Sequence, residues 1–258
     1  NPDGVYAIGQ PEIMYDVWVW CLTRKFNLFI EKPMGLTMHQ SKMLAHLASV
    51  NGCITQVSHQ RRSAPLLKRM KEECLKHGPV THSVVEFNKY DIREFTGARD
   101  RMLDDFTHAV DTARWICGGE VIKIESHCRR LFVPDINWIG ATLFFDNGSI
   151  CYVIGSWTSG RRIFRVNIHA RGIAAEGDLE RAQVRLSELG VEPDGSTLAG
   201  SIEHYLDSGG EHAALRLRDA TAPQRVELCV EPVLHAEAAD GAQRIAAVEK
   251  RQPRGKQG

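Results

Sequence analysis

Residues Asp104, His108, Asp111 and Trp115 fall at i, i+4, i+7 and i+11 of one segment. On a helix that spacing sets two carboxylates and an imidazole on one stripe, with Asp104 and His108 near enough to meet. A carboxylate beside a histidine orients the ring and raises its proton affinity, which suits general acid/base work near neutral pH. The same pattern also serves a solvated face with a surface ion pair. A metal centre needs more ligands than this, and no second His or Cys cluster stands at usable spacing, so no metal is expected. Glu31-Lys32-Pro33 is the second feature, set directly after an apolar run. A lysine at the carboxyl end of a parallel strand stands where open α/β sheets bind ligands, and it can donate to a hydroxyl or carbonyl oxygen. It can equally form an ordinary surface ion pair. Gly9-Gln10-Pro11 closes an earlier apolar run and serves either as a backbone contact for a ligand or as a turn. In Gln60-Arg61-Arg62, two guanidiniums offer a seat for phosphate or carboxylate, or a solvated surface. Tyr90 and Trp157 can flank a sugar-sized ligand or pack in a core.

The elements that must position these groups alternate at first. Residues 4–9, 27–30 and 53–57 read as buried strands. A segment over 12–24, apolar on nearly every side, and a helix carrying Met43, Leu44, Leu47 and Val50 lie between them. Thr37 with Gln40 three residues on makes a capping box, and Asn51-Gly52 is a stop. Strand, helix, strand, helix, strand implies parallel strands joined by crossovers. The pattern then changes. Ser63 caps a helix bearing Leu66, Leu67, Met70 and Cys74, and 80–90 alternates as a half-buried strand. A helix over 103–117 has Leu103, Phe106, Val110, Ala113 and Cys117 on one face. Strands follow over 121–132, 138–145, 150–157 and 163–170, with Asn147-Gly148 as a hairpin signal. Helices are expected over 198–249 and a disordered basic tail over 250–258. The fold class is α/β plus α+β: a short parallel sheet, then a mostly antiparallel sheet covered by helices.

Composition narrows the function classes. Of 258 residues, 43% are hydrophobic and 25% charged, which excludes a disordered chain, a collagen-like chain and a disulfide scaffold. Lys plus Arg equals Asp plus Glu at 32 each, so bulk charge points to neither nucleic acid nor an anionic membrane. No apolar run approaches the roughly 18 residues of a membrane span. No basic leader opens the sequence, and its seven scattered cysteines lack a CxxC, so reduced thiols in a cytoplasmic protein are expected. GxSxG, HExxH, P-loop and GxGxxG motifs are all absent.

Taken in order, Ile8-Gly9-Gln10-Pro11, Phe29-Ile30-Glu31-Lys32-Pro33, Asp104-x-x-x-His108-x-x-Asp111 with Trp115-Ile116-Cys117-Gly118, and the hairpin Phe144-Phe145-Asp146-Asn147-Gly148 resemble the Gfo/Idh/MocA oxidoreductase family. This is the group of glucose-fructose oxidoreductase and inositol dehydrogenase, and the likeness runs over about 2–236. Neither the EKP nor the DxxxHxxD motif is specific alone; the pair at this separation is more so. The resemblance implies a Rossmann-type sheet, here a C-terminal part of one over 1–60, and a substrate-binding and oligomerisation domain over 61–249. It implies NAD or NADP as cofactor and hydride transfer to or from a secondary alcohol of a sugar or cyclitol. Lys32, His108 and Asp104 match the family's catalytic positions. Gly9, Gln10, Pro11, Tyr15, Glu31 and Lys32 fall in its cofactor region, and Tyr90 and Arg61 join Lys32, Asp104 and His108 toward substrate. The family's Gly-rich phosphate cradle has no counterpart in this sequence, and Tyr15 stands where many members carry histidine. Alternatives are a redox-assisted glycosidase, a non-catalytic ligand-binding or regulatory protein, and a structural partner. Apolar residues on both faces of 138–157 suggest a homodimer or homotetramer formed through the antiparallel sheet.

Overall fold

Three short strands open the chain: β1 (Val5–Ala7), β2 (Leu28–Ile30) and β3 (Thr55–Val57). They pair in parallel in that order, as the alternation predicts. The coordinates are a computed structural model that describes residues 2–9, 11–91, 102–191, 197–206, 212–219 and 226–229. Helix α1 (Pro11–Thr23) links β1 to β2 and α2 (Met38–Asn51) links β2 to β3. Each strand is too short to hold a core alone. Leu28 and Ile30 therefore bury against Trp18, Cys21 and Leu22 of α1 and Leu44 and Ala48 of α2. The Trp18 indole N–H donates to the Ala7 carbonyl at 2.9 Å, which fixes α1 on β1. Thr37 caps α2 by accepting from the Gln40 amide at 3.2 Å. Gln40 reaches back to the Leu36 amide at 2.7 Å, one residue upstream of the usual capping-box partner. Gly52, at φ +67°, ends the helix in the left-handed conformation glycine tolerates best.

The second unit begins with a 3-10 turn, Gln60–Ser63, followed by α3 (Pro65–Lys76). Ser63 does not cap α3 as expected. It lies within the 3-10 turn, Ala64 takes the capping position, and Pro65 opens the helix, where its missing N–H costs nothing. The chain continues through β4 (His82–Tyr90), a π-helical turn (Met102–Phe106), α4 (Thr107–Cys117), β5 (Val121–Arg129), β6 (Trp138–Phe145) and β7 (Ile150–Ser156). Then come β8 (Thr158–Ala170), β9 (Ile173–Asp178), β10 (Gln183–Val191), β11 (Thr197–Leu206), β12 (His212–Asp219) and β13 (Val226–Cys229). The ten strands form one sheet in the order β13-β12-β11-β10-β9-β8-β4-β7-β6-β5. Every pairing is antiparallel except β4 with β7.

Strands β11, β12 and β13 correct the helices expected over 198–249. Alanines favour a helix, but Leu215 and Leu217 alternate with Arg216 and Arg218, a two-residue period that fits a strand. The remainder of that segment from 230 and the 250–258 tail lie outside the described residues. Helices α3 and α4 cover one face of the sheet, over Val85, Phe87, Val153, Phe164, Val166 and Ile168. Gly155 on β7 leaves the space that the Phe106 ring fills, seating the start of α4 on the sheet. Asn147 in the β6–β7 turn donates to the Cys117 carbonyl at 2.9 Å, so the hairpin also anchors the end of α4. Among the described residues, Cys21, Cys53, Cys74, Cys117, Cys128 and Cys151 are free thiols.

Candidate active site

The carboxyl ends of the parallel strands and the start of α4 converge on one place. Lys32 follows β2, at a Lys32–Pro33 peptide that is cis, and its amide donates to Glu31 Oε2 at 3.3 Å. His59 follows β3, and the 3-10 turn with Arg61 and Arg62 comes next. His108 sits in the first turn of α4 and is 5% exposed. Its ring meets His59 edge-on at 6.1 Å between centroids, and Phe87 of β4 lies 6.4 Å away. The positive charges of Lys32 and Arg61 both reach His108.

These neighbours reverse the expected tuning. Burial, then the positive charges of Lys32 and Arg61 and that of His59 when it is protonated, push the His108 pKa down to about 4; Asp105 opposes them only in part. His108 is therefore neutral at pH 7, a proton acceptor rather than a stored acid. His59 is shifted the same way, first by burial, with Asp111 opposing and Arg62 and Lys32 adding to the fall.

The backbone that carries the first carboxylate departs from the expected α-helix. A π-helical turn spans Asp104 and wraps wider than an α-helix, so the 104-to-108 spacing loses its α-helical meaning. The Asp104 side chain lies outside the described residues. Among the described side chains, the acid felt by His108 is Asp105, which is paired with Lys89 at the end of β4. Asp111 turns to Arg62, accepting from Nε at 2.6 Å and from Nη2 in a second bond. That fork ties the 3-10 turn to α4 and raises the Arg62 pKa. Asp111 thus positions the backbone around His108 rather than orienting its ring.

Other predicted residues scatter. Pro11 is buried at the start of α1, and Tyr15 packs against the core around Trp18. Gly9 closes the β1 end, against Met14. Gln10 lies outside the described residues. Tyr90, at the end of β4, is 64% exposed. Trp157 is fully buried in the core, so it flanks no ligand. Three nearby groups escaped the sequence analysis: His59, Asp105 and the Arg162–Glu180 pair. His59 carried the same signal as Lys32, a polar residue just past the carboxyl end of a parallel strand.

The edge carrying Gly9, Lys32 and His59 is where doubly wound sheets take a nucleotide, and it adjoins His108. These residues fit the nicotinamide end of a dinucleotide. Among the described residues no group of three or more His, Cys, Asp or Glu side chains could hold a metal. No described helix is long and apolar enough to cross a membrane.

No protein-family model matches the chain. It is 24% identical over 169 residues to YceM of Salmonella typhimurium strain LT2, which carries an oxidoreductase name, covering 66% of this chain and 50% of that protein. It is 26% identical over 172 residues to scyllo-inositol 2-dehydrogenase (NAD(+)) of Bacillus subtilis strain 168, covering 59% and 47%. Among solved structures, levoglucosan dehydrogenase in complex with NADH and levoglucosan has a TM-score of 0.68 at 16% identity, over 81% of this chain and 62% of its own. The chain spans about half the length of the curated relatives it matches. The solved-structure likeness shows the fold, and both curated relatives carry oxidoreductase or dehydrogenase names.

Proposed function

We propose that this chain belongs to an NAD(P)-dependent oxidoreductase acting on a secondary hydroxyl, or the matching ketone, of a sugar- or cyclitol-like polyol. The observation that carries this is a buried, neutral His108 beside the cation Lys32, at the carboxyl edge of a parallel sheet. A bound nicotinamide supplies the hydride acceptor. His108 takes the hydroxyl proton as the C–H bond gives up its hydride and the C=O bond forms. Lys32 holds the oxygen and offsets the negative charge that grows on it. In this reading 1–60 is the nicotinamide side and 61–249 the substrate side. The names of the B. subtilis relative and the levoglucosan enzyme support the cofactor and the substrate class. Free thiols support a cytoplasmic setting.

The test is direct. NADH or NADPH should bind saturably to the chain, read by nicotinamide fluorescence. A panel of sugars and cyclitols should then yield one that reduces NAD+ or NADP+. No binding at millimolar cofactor would remove the proposal for this chain.

We also propose self-association through the sheet face opposite α3 and α4. Val84 pairs with Tyr152, and Phe144 with Ile150, so apolar groups line that face in register. Tyr152 is 45% exposed there. Light scattering should give two or four times the chain mass, and a monomeric mass would exclude the association.

A further inference from the structure

We propose that the substrate carries an anionic group, a carboxylate or a phosphate, held by Arg61 and Arg162 beside His108; this rests on the dehydrogenase reading above. Arg61 comes from the 3-10 turn and Arg162 from β8. Both guanidiniums reach the same oxygen, Glu180 Oε1, each at 3.2 Å. One carboxylate thus serves two cations and leaves a net positive charge. Among the described residues, Asp111 is committed to Arg62 and Asp105 to Lys89.

The guanidiniums are also held in place. Arg61 lies 4.9 Å above the Phe164 ring and Arg162 5.8 Å from Phe87. Those two rings meet edge-to-face at 5.8 Å, and Phe87 is the ring beside His108. A ring face near a guanidinium favours it by cation–π attraction, which lowers the freedom lost when an anion docks. The Arg61 and Arg162 side chains keep accessible surface, 22% and 54%. A neutral hydroxyl docked there would leave the excess charge, whereas an anionic oxygen answers it, and charge-assisted bonds to arginine are among the strongest available.

Calorimetry on the chain without cofactor tests this with three probes: glucuronate, glucose 6-phosphate and glucose. At least one anion should bind roughly 10- to 100-fold tighter than glucose, the range expected of one or two charge-assisted bonds. The two anionic arms decide between carboxylate and phosphate. Arg61→Gln should abolish the preference. Arg162→Gln, at a more exposed site, should reduce it even if the first variant folds poorly. Added salt should weaken the anion and leave glucose unchanged. Equal binding of all three, no binding of any, or a preference that survives both substitutions would overturn the proposal. Hydride transfer is read separately. A neutral sugar oxidised without anion preference overturns the anion site alone, whereas anion binding without hydride transfer to NAD+ or NADP+ from any sugar overturns the dehydrogenase reading.

Discussion

His108→Asn should lower turnover by roughly 100- to 10,000-fold, the span that a positioned general base contributes. Asparagine keeps much of the ring's bulk and polarity but cannot take the substrate proton. Its Nδ1 counterpart in the native chain has no hydrogen-bond partner among the described residues, so the substitution breaks no bond made through that atom. The fold should therefore survive, and circular dichroism with a thermal melt would show it. The pH profile gives an independent reading. Because burial and neighbouring cations hold the His108 pKa at about 4, kcat/KM should stay level well below the ordinary imidazole range and fall only near that value. In His108→Asn that limb should vanish. A wild-type limb near pH 6.5, the ordinary imidazole value, would assign the base to another group.

Stability follows the same shift. In the unfolded chain His108 returns to about 6.5, so between that value and about 4 the unfolded state binds more protons. The contribution of neutral His108 is present above the upper value and is lost as pH falls through the window. Its size is about 3 kcal/mol. Acid denaturation of His108→Asn should lose that part of the slope.

Much of this arrangement was legible in the sequence, and the failures have particular causes. Lys32 was found because a strand, then a polar residue, then proline is a local pattern. The parallel order of β1, β2 and β3 puts that residue at a ligand-binding edge. His108 was found because helical spacing set it beside an apolar face. The π-helical turn was not legible because it has no residue signature, so Asp105 was missed as an acid felt by His108. The sign of its pKa shift was wrong for a different reason. Lys32, His59 and Arg61 lie 76, 49 and 47 positions away in the chain, and only the packing of the 3-10 turn against α4 brings their charges to bear. Arg162 and Glu180 were hidden likewise, since single charged side chains on neighbouring sheet elements carry no periodicity. For β12, the two-residue alternation of Leu215 and Leu217 with Arg216 and Arg218 was the signal that the helical expectation overlooked.

Lys32→Met should lower turnover by about 100- to 1,000-fold, the loss typical when one group facing a developing oxyanion is removed. Methionine keeps most of the aliphatic stem and discards only the ammonium, so packing at the end of β2 should change little. Loss of an oxyanion contact is not the whole effect. Lys32 is the foremost of the charges that lower the His108 pKa, after burial. Without it, His108 gains proton affinity, and the acid limb of the residual kcat/KM should move upward from about 4 toward the ordinary imidazole range. Lys32→Arg keeps the charge but spreads it over a planar fork, so it should hold the limb in place while recovering only part of the rate. A merely structural lysine would leave the limb unmoved in all three proteins. If Lys32→Met kept turnover within a few-fold of wild type with an unshifted limb, its assignment as the group on the substrate oxygen would fail, while the role of His108 would stand on its own test.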